Sequence, residues 1–126
     1  MPSLSSQKSS SMDKGSRAAE LSMRLASIRK DFLDRLVERR ARIAALVNDI
    51  DQTAPTPEAA EGIRHNAHKI AGVAATLGFP RLGELAAALD ASLVAHADQI
   101  DWEPTRDLTN ELLAEIEVVL NAETAK

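Results

Sequence analysis

Residues 63–79 read "IRHNAHKIAGVAATLGF", and the spacing of their apolar side chains decides the fold. Ile63, Ala67, Ile70, Ala74 and Leu77 recur in steps of 4, 3, 4 and 3, which is one face of an α-helix. Upstream, Thr56 can cap that helix, with Pro57 at its first position, where a missing N–H costs nothing. Downstream, Gly78 is a natural stop and Pro80 can open another helix. Gly62 is the local misfit, costing about 1 kcal/mol against Ala inside a helix.

The same periodicity extends in both directions. Leu82, Leu85, Leu89 and Leu93 stripe the next helix, and Leu108, Leu112, Ile116 and Val119 stripe the last. On the N-terminal side, Leu21, Leu25, Ile28, Phe32, Leu36, Ile43, Leu46, Val47 and Ile50 form a long helical pattern. No Gly or Pro interrupts residues 18–50, so one long helix and a short helix bending into a longer one both fit. The loops "DQTAPTPEAAEG" and "DQIDWEPT" are polar and short. Such stripes bury most simply in an all-α, antiparallel up-and-down four-helix bundle with an additional N-terminal helical segment. Residues 1–17, "MPSLSSQKSSSMDKGSR", have almost nothing to bury and are expected to form a disordered tail. The bundle then occupies residues 18–126.

Composition agrees. The chain has 126 residues, one domain's worth, and only 2% are aromatic; Leu, Ala, Ile and Val dominate its apolar residues, and Ala, Leu, Glu and Arg favour helices where aromatic and β-branched residues favour strands. Cysteine is absent, which excludes thiolate chemistry and fits a reducing, cytoplasmic setting. No apolar run approaches the roughly 20 residues of a spanning helix, so no membrane association is expected. The net charge of −4 and the scarcity of aromatic residues argue against a nucleic-acid partner. Residues 29–42, "RKDFLDRLVERRAR", are locally basic. They read as a solvated helix face with pairs such as Asp31 with Arg35, or as a docking face for an acidic partner.

The chemistry concentrates on the quoted helix. With its apolar stripe at zero, His68 projects at roughly 140° and His65 at roughly 200°, so both face solvent. Gly72 lies one turn beyond His68 and Ala75 a further turn along. Small residues beside an exposed imidazole leave the ring open to another macromolecule's active site. A neutral imidazole is a good nucleophile near neutral pH, its free pKa being about 6.5. Phosphoryl transfer also needs metal and cationic groups on the phosphate. The chain has no P-loop, kinase Gly-rich loop or evident carboxylate metal site, so a partner must supply that machinery.

The segment "HKIAGVAATLG", 68–78, resembles the signature of histidine phosphotransfer (HPt) domains: His, then an aliphatic at +2, Gly at +4 and Leu-Gly near +9 and +10. Ile70, Gly72, Leu77 and Gly78 fill those places, and "LGELAAALD", 82–90, is similar to the family's next helix with its terminal acidic residue. The resemblance implies a four-helix bundle that carries phosphoryl groups between receiver-domain aspartates in two-component phosphorelays and has no ATP site. It implies a carrier and not a self-sufficient enzyme, with His68 as phosphoacceptor. The implied partners are the receiver domain of a hybrid histidine kinase and that of a response regulator. It implies no cofactor of the chain's own, with Mg²⁺ in the partner receiver.

The docking surface around His68 would include Gly72, Ala75, His65 and Lys69. One departure stands out: Ala71 occupies the place where the family commonly carries Lys, three residues after the His. Arg64, at i−4 and roughly 40° from His68 on the wheel, is the candidate replacement for balancing phosphate charge, ahead of Arg81. The alternatives are a metal site on Glu61, His65 and His68, which share one face, and a docking adaptor without chemistry. His96 has no pattern around it and reads as a surface residue.

Overall fold

The computed structural model describes the backbone of residues 2–97 and 99–124, and the side chains from Gly15 onward within them. The described residues form four helices: α1 (Pro2–Gln52), α2 (Pro57–Ala74), α3 (Pro80–Ala95) and α4 (Trp102–Thr124). There is no strand among the described residues. The chain divides into two compact units, Met1–Phe32 and Leu33–Lys126, with the division inside α1. The additional N-terminal helical segment is thus continuous with the first bundle helix, because nothing in residues 18–50 breaks the hydrogen-bond ladder. The tail expected over residues 1–17 lies mostly outside the described side chains; Gly15, Ser16 and Arg17 are exposed residues of α1.

The first unit is helical and, from Gly15 to Ile28, exposed throughout. Leu21, Leu25 and Ile28 have the same periodicity as the core positions further along α1 and yet are not buried. Burial of that stripe begins at Leu36.

In the second unit Leu36, Ile43, Val47 and Ile50 of α1 meet Ile63, Ala67, Ile70 and Ala74 of α2 in one core. Leu82, Leu85, Ala86, Leu89 and Leu93 of α3 and Leu112, Ile116 and Val119 of α4 complete it. Each of the larger aliphatic side chains, fully removed from water, contributes roughly 1.5–3 kcal/mol. Cross-helix pairs establish the direction of packing. Arg39 of α1 donates to Asn66 of α2 at 3.3 Å, and a Cβ on Gly62 would meet Leu46, so α1 and α2 run antiparallel. Asp51 accepts from Trp102 at 3.0 Å and from Arg106 at 2.9 Å, whereas Arg40 reaches Glu117 at 3.2 Å, so α4 is antiparallel to α1. The basic stretch therefore spends Arg39 and Arg40 on contacts between bundle helices, the Arg40 contact at the surface. Among the described residues, no helix is long and apolar enough to cross a membrane.

Two glycines explain how closely α2 is approached. A Cβ on Gly62 would sit 2.8 Å from Leu46 Cδ1, so any larger residue there requires the Leu46 side chain to move. At Gly83 of α3 a Cβ would lie 3.3 Å from the Ala75 backbone nitrogen. These contacts bring α3 against the end of α2 and set up the cross-helix contact of the site.

Candidate functional site

The site begins with a well-defined helix start. Thr56 accepts the Ala59 N–H at 3.1 Å and Pro57 takes the first turn, which satisfies one otherwise orphaned donor. At the other end Gly78 adopts φ +93°, a conformation open to glycine. The Phe79 N–H then returns to the Ala74 carbonyl at 2.9 Å, closing the helix end. Phe79 is buried and Leu77 half-buried in the turn, so Phe79 completes the core at this point. This turn sends α3 back along α2, which brings Asp90 beside His68 and Arg64.

His68 has 63% of its side chain exposed, and its Nδ1 lies 2.8 Å from Oδ2 of Asp90. An ionised carboxylate only accepts, so a neutral ring paired with it carries its proton on Nδ1 and keeps its lone pair on Nε2. Asp90 is itself only 19% exposed and is held from its other side. Arg64 Nη1 donates to Asp90 Oδ1 at 3.3 Å. The rest of the Arg64 guanidinium forks onto Glu61, with Nε–Oε2 at 2.7 Å and Nη2–Oε1 at 2.6 Å. Those Glu61 hydrogen bonds, reinforced by Asp90, push Arg64 still further above its already high pKa. In turn the Arg64 hydrogen bond holds Glu61 below the usual carboxylate value. The result is a chain of four side chains, Glu61–Arg64–Asp90–His68, with exposed groups, Glu61 and the imidazole, at its two ends.

The surface around the ring is open. His65, Lys69, Gly72 and Ala75 are all exposed, and a Cβ on Gly72 would meet nothing within 4 Å. Gly72 is therefore not required by packing within the chain. Ala71 is half-buried. Asn66, between the two histidines, is buried and spends its amide on the Gly62 carbonyl at 2.8 Å. His96 ends α3 exposed, with Nδ1 2.9 Å from the Ser92 carbonyl.

The expected residues are thus placed unevenly. His65, His68, Lys69, Gly72 and Ala75 share the solvent face, whereas Arg64 turns toward carboxylates on its own helix and on α3. Sequence reasoning missed the role of Asp90, whose only signal was its place at the end of "LGELAAALD". The Glu61, His65 and His68 face does not assemble as a ligand set: Glu61 is drawn to Arg64 and His68 to Asp90. Among the described residues no group of three or more metal-ligating side chains converges.

The site is thus an exposed imidazole with a carboxylate at one ring nitrogen, carried on a helical bundle. Comparison with family models matches the Hpt domain over residues 27–122, and the chain belongs to that family. Its members act in phosphotransfer in two-component phosphorelays and interact with receiver domains. Neither curated proteins nor solved structures gave a match.

Proposed function

We propose that His68 accepts a phosphoryl group from the aspartyl phosphate of one receiver domain and passes it to the aspartate of another. The observation that carries this reading is the 2.8 Å contact between His68 Nδ1 and Asp90 on a ring otherwise open to solvent. Nε2 attacks phosphorus in line; the new N–P bond forms as the P–O bond to the receiver's carboxylate breaks, and that carboxylate leaves with the electron pair. Nδ1 keeps its proton throughout, so the phosphorylated ring is cationic and Asp90 balances it. On onward transfer the next receiver's carboxylate oxygen attacks phosphorus, and the ring departs as neutral imidazole. Without the Nδ1 proton it would have to leave as an imidazolate, a far poorer leaving group.

The chain contributes the nucleophile and its orientation. Mg²⁺ and most of the charge neutralisation belong to the receiver, and no cofactor of the chain's own is invoked. The docking surface comprises Gly72, Ala75, His65 and Lys69. Arg64 is the nearby cation, held in reserve between Glu61 and Asp90 for the arriving phosphate, in place of the Lys that Ala71 replaces.

The test is transfer from a phosphorylated receiver to wild type, His65→Gln and His68→Gln. Acid-labile, base-stable label on the first two and none on His68→Gln is the expected result. Label lost only with His65→Gln would move the acceptor to His65.

A further inference from the structure

The first unit carries an exposed apolar stripe, remote in sequence from the histidine. Leu21, Leu25 and Ile28 are 58%, 55% and 49% exposed, and they share one face with Ala18 before them and the partly covered Phe32 after them. Their steps of 3, 4, 3 and 4 average 3.5 residues, the repeat of a seam between two supercoiled helices. Helix propensity alone does not ask for large aliphatic side chains on an exposed face. A matching apolar helix would cover them.

Charges flanking the seam select that helix. With Ala18, Leu25 and Phe32 as the a positions and Leu21 and Ile28 as d, Arg24 and Asp31 occupy successive g positions and Arg29 an e position. A second copy in parallel would set Arg24 against the other copy's Arg29, twice, by symmetry. An antiparallel copy can place Leu21 against Phe32 and Leu25 against Ile28, so that every large side chain of the seam meets another. In that same register Arg24 of each copy faces Asp31 of the other, giving two attractive pairs and no like-charge pair between g positions. Apolar register and charge register coincide only in this orientation.

We propose that residues 18–32 form an antiparallel, two-fold symmetric contact with the same segment of a second copy, which makes the chain a homodimer. The seam from Leu21 to Phe32 spans only about 16 Å of helix. It therefore falls at the small end of specific interfaces, below about 1,200 Å² in total. The dimer is accordingly concentration-dependent.

Sedimentation equilibrium of the full chain over a wide concentration range tests this. The wild-type mass should rise from 13.6 kDa toward twice that value. Arg24→Glu sets like charges together twice and should raise the dissociation constant about tenfold or more, as should Asp31→Arg. The double variant Arg24→Asp, Asp31→Arg restores the attraction and should return it to within about threefold of wild type. These positions are exposed, so far-UV circular dichroism should be unchanged. A monomer at every concentration would overturn the proposal. So would tighter association in Arg24→Glu, the result a parallel seam requires, or a dimer that survives Leu25→Asp.

Discussion

Replacing Asp90 by Ala isolates the contribution of the carboxylate to the chemistry of His68. In the folded chain Asp90 Oδ2 lies 2.8 Å from Nδ1, and its other oxygen is engaged by Arg64 at 3.3 Å. A hydrogen bond to a charged group contributes roughly 1.5–3 kcal/mol when shielded from water. The ring is 63% exposed, so solvent screening reduces this to about 1 kcal/mol in the resting state. The contact matters more while the ring bears positive charge, as it does when Nε2 is bonded to phosphorus, and a figure of about 1–2 kcal/mol is reasonable there. At 1.36 kcal/mol per factor of ten, Asp90→Ala should slow phosphoryl transfer about tenfold in both directions.

Rapid-quench transfer from a phosphorylated receiver at saturating receiver concentration measures this, with His68→Gln as the zero. Asp90→Asn keeps an acceptor but loses the charge, and should fall between the two, about threefold below wild type. Long-range ¹H–¹⁵N correlation supplies a readout that a purely structural role would not move. The proton should reside on Nδ1 in the wild type and shift toward Nε2 in Asp90→Ala. Wild-type transfer rates in Asp90→Ala, with an unaltered tautomer, would refute the assignment of Asp90 as the residue that orients the nucleophile.

The remaining predictions concern approach, charge and packing. Gly72→Arg should leave thermal unfolding nearly unchanged, since a Cβ there meets nothing within 4 Å, yet it should slow transfer by about a hundredfold by displacing the docked receiver; wild-type transfer kinetics would remove Gly72 from the docking surface. Arg64→Glu places a third carboxylate beside Glu61 and Asp90, and should lower the transfer rate several-fold and shorten the phosphohistidine lifetime, less so at high salt. An unchanged rate and lifetime would show that Arg64 serves only its two carboxylates. Gly62→Val should destabilise the fold by about 1–3 kcal/mol in urea, because even its first carbon arrives 2.8 Å from Leu46 Cδ1. A stability equal to wild type would mean that the α1–α2 contact is loose enough to repack.

What the sequence determined on its own is what depends on neighbours three and four residues apart. The stripes of α2, α3 and α4, the Thr56–Pro57 start, the Gly78 stop and the outward direction of His65 and His68 all follow from helical period and local backbone preference. Periodicity also gave the same reading to Leu21 and to Ile43, although one is exposed and the other fully buried. Whether an apolar stripe is covered depends on which helices lie against it, and no local pattern contains that. The same holds at the site. Arg64 was legible as a cation near His68, but its choice of Glu61 and Asp90 depends on the distance between two helices. That distance is set by Gly83 against Ala75 and by the turn at Gly78. Asp90 lies 22 residues from His68 along the chain and 2.8 Å from it in space. Helical period could point the imidazole outward, but only the packing of α3 on α2 could determine which of its nitrogens meets Asp90.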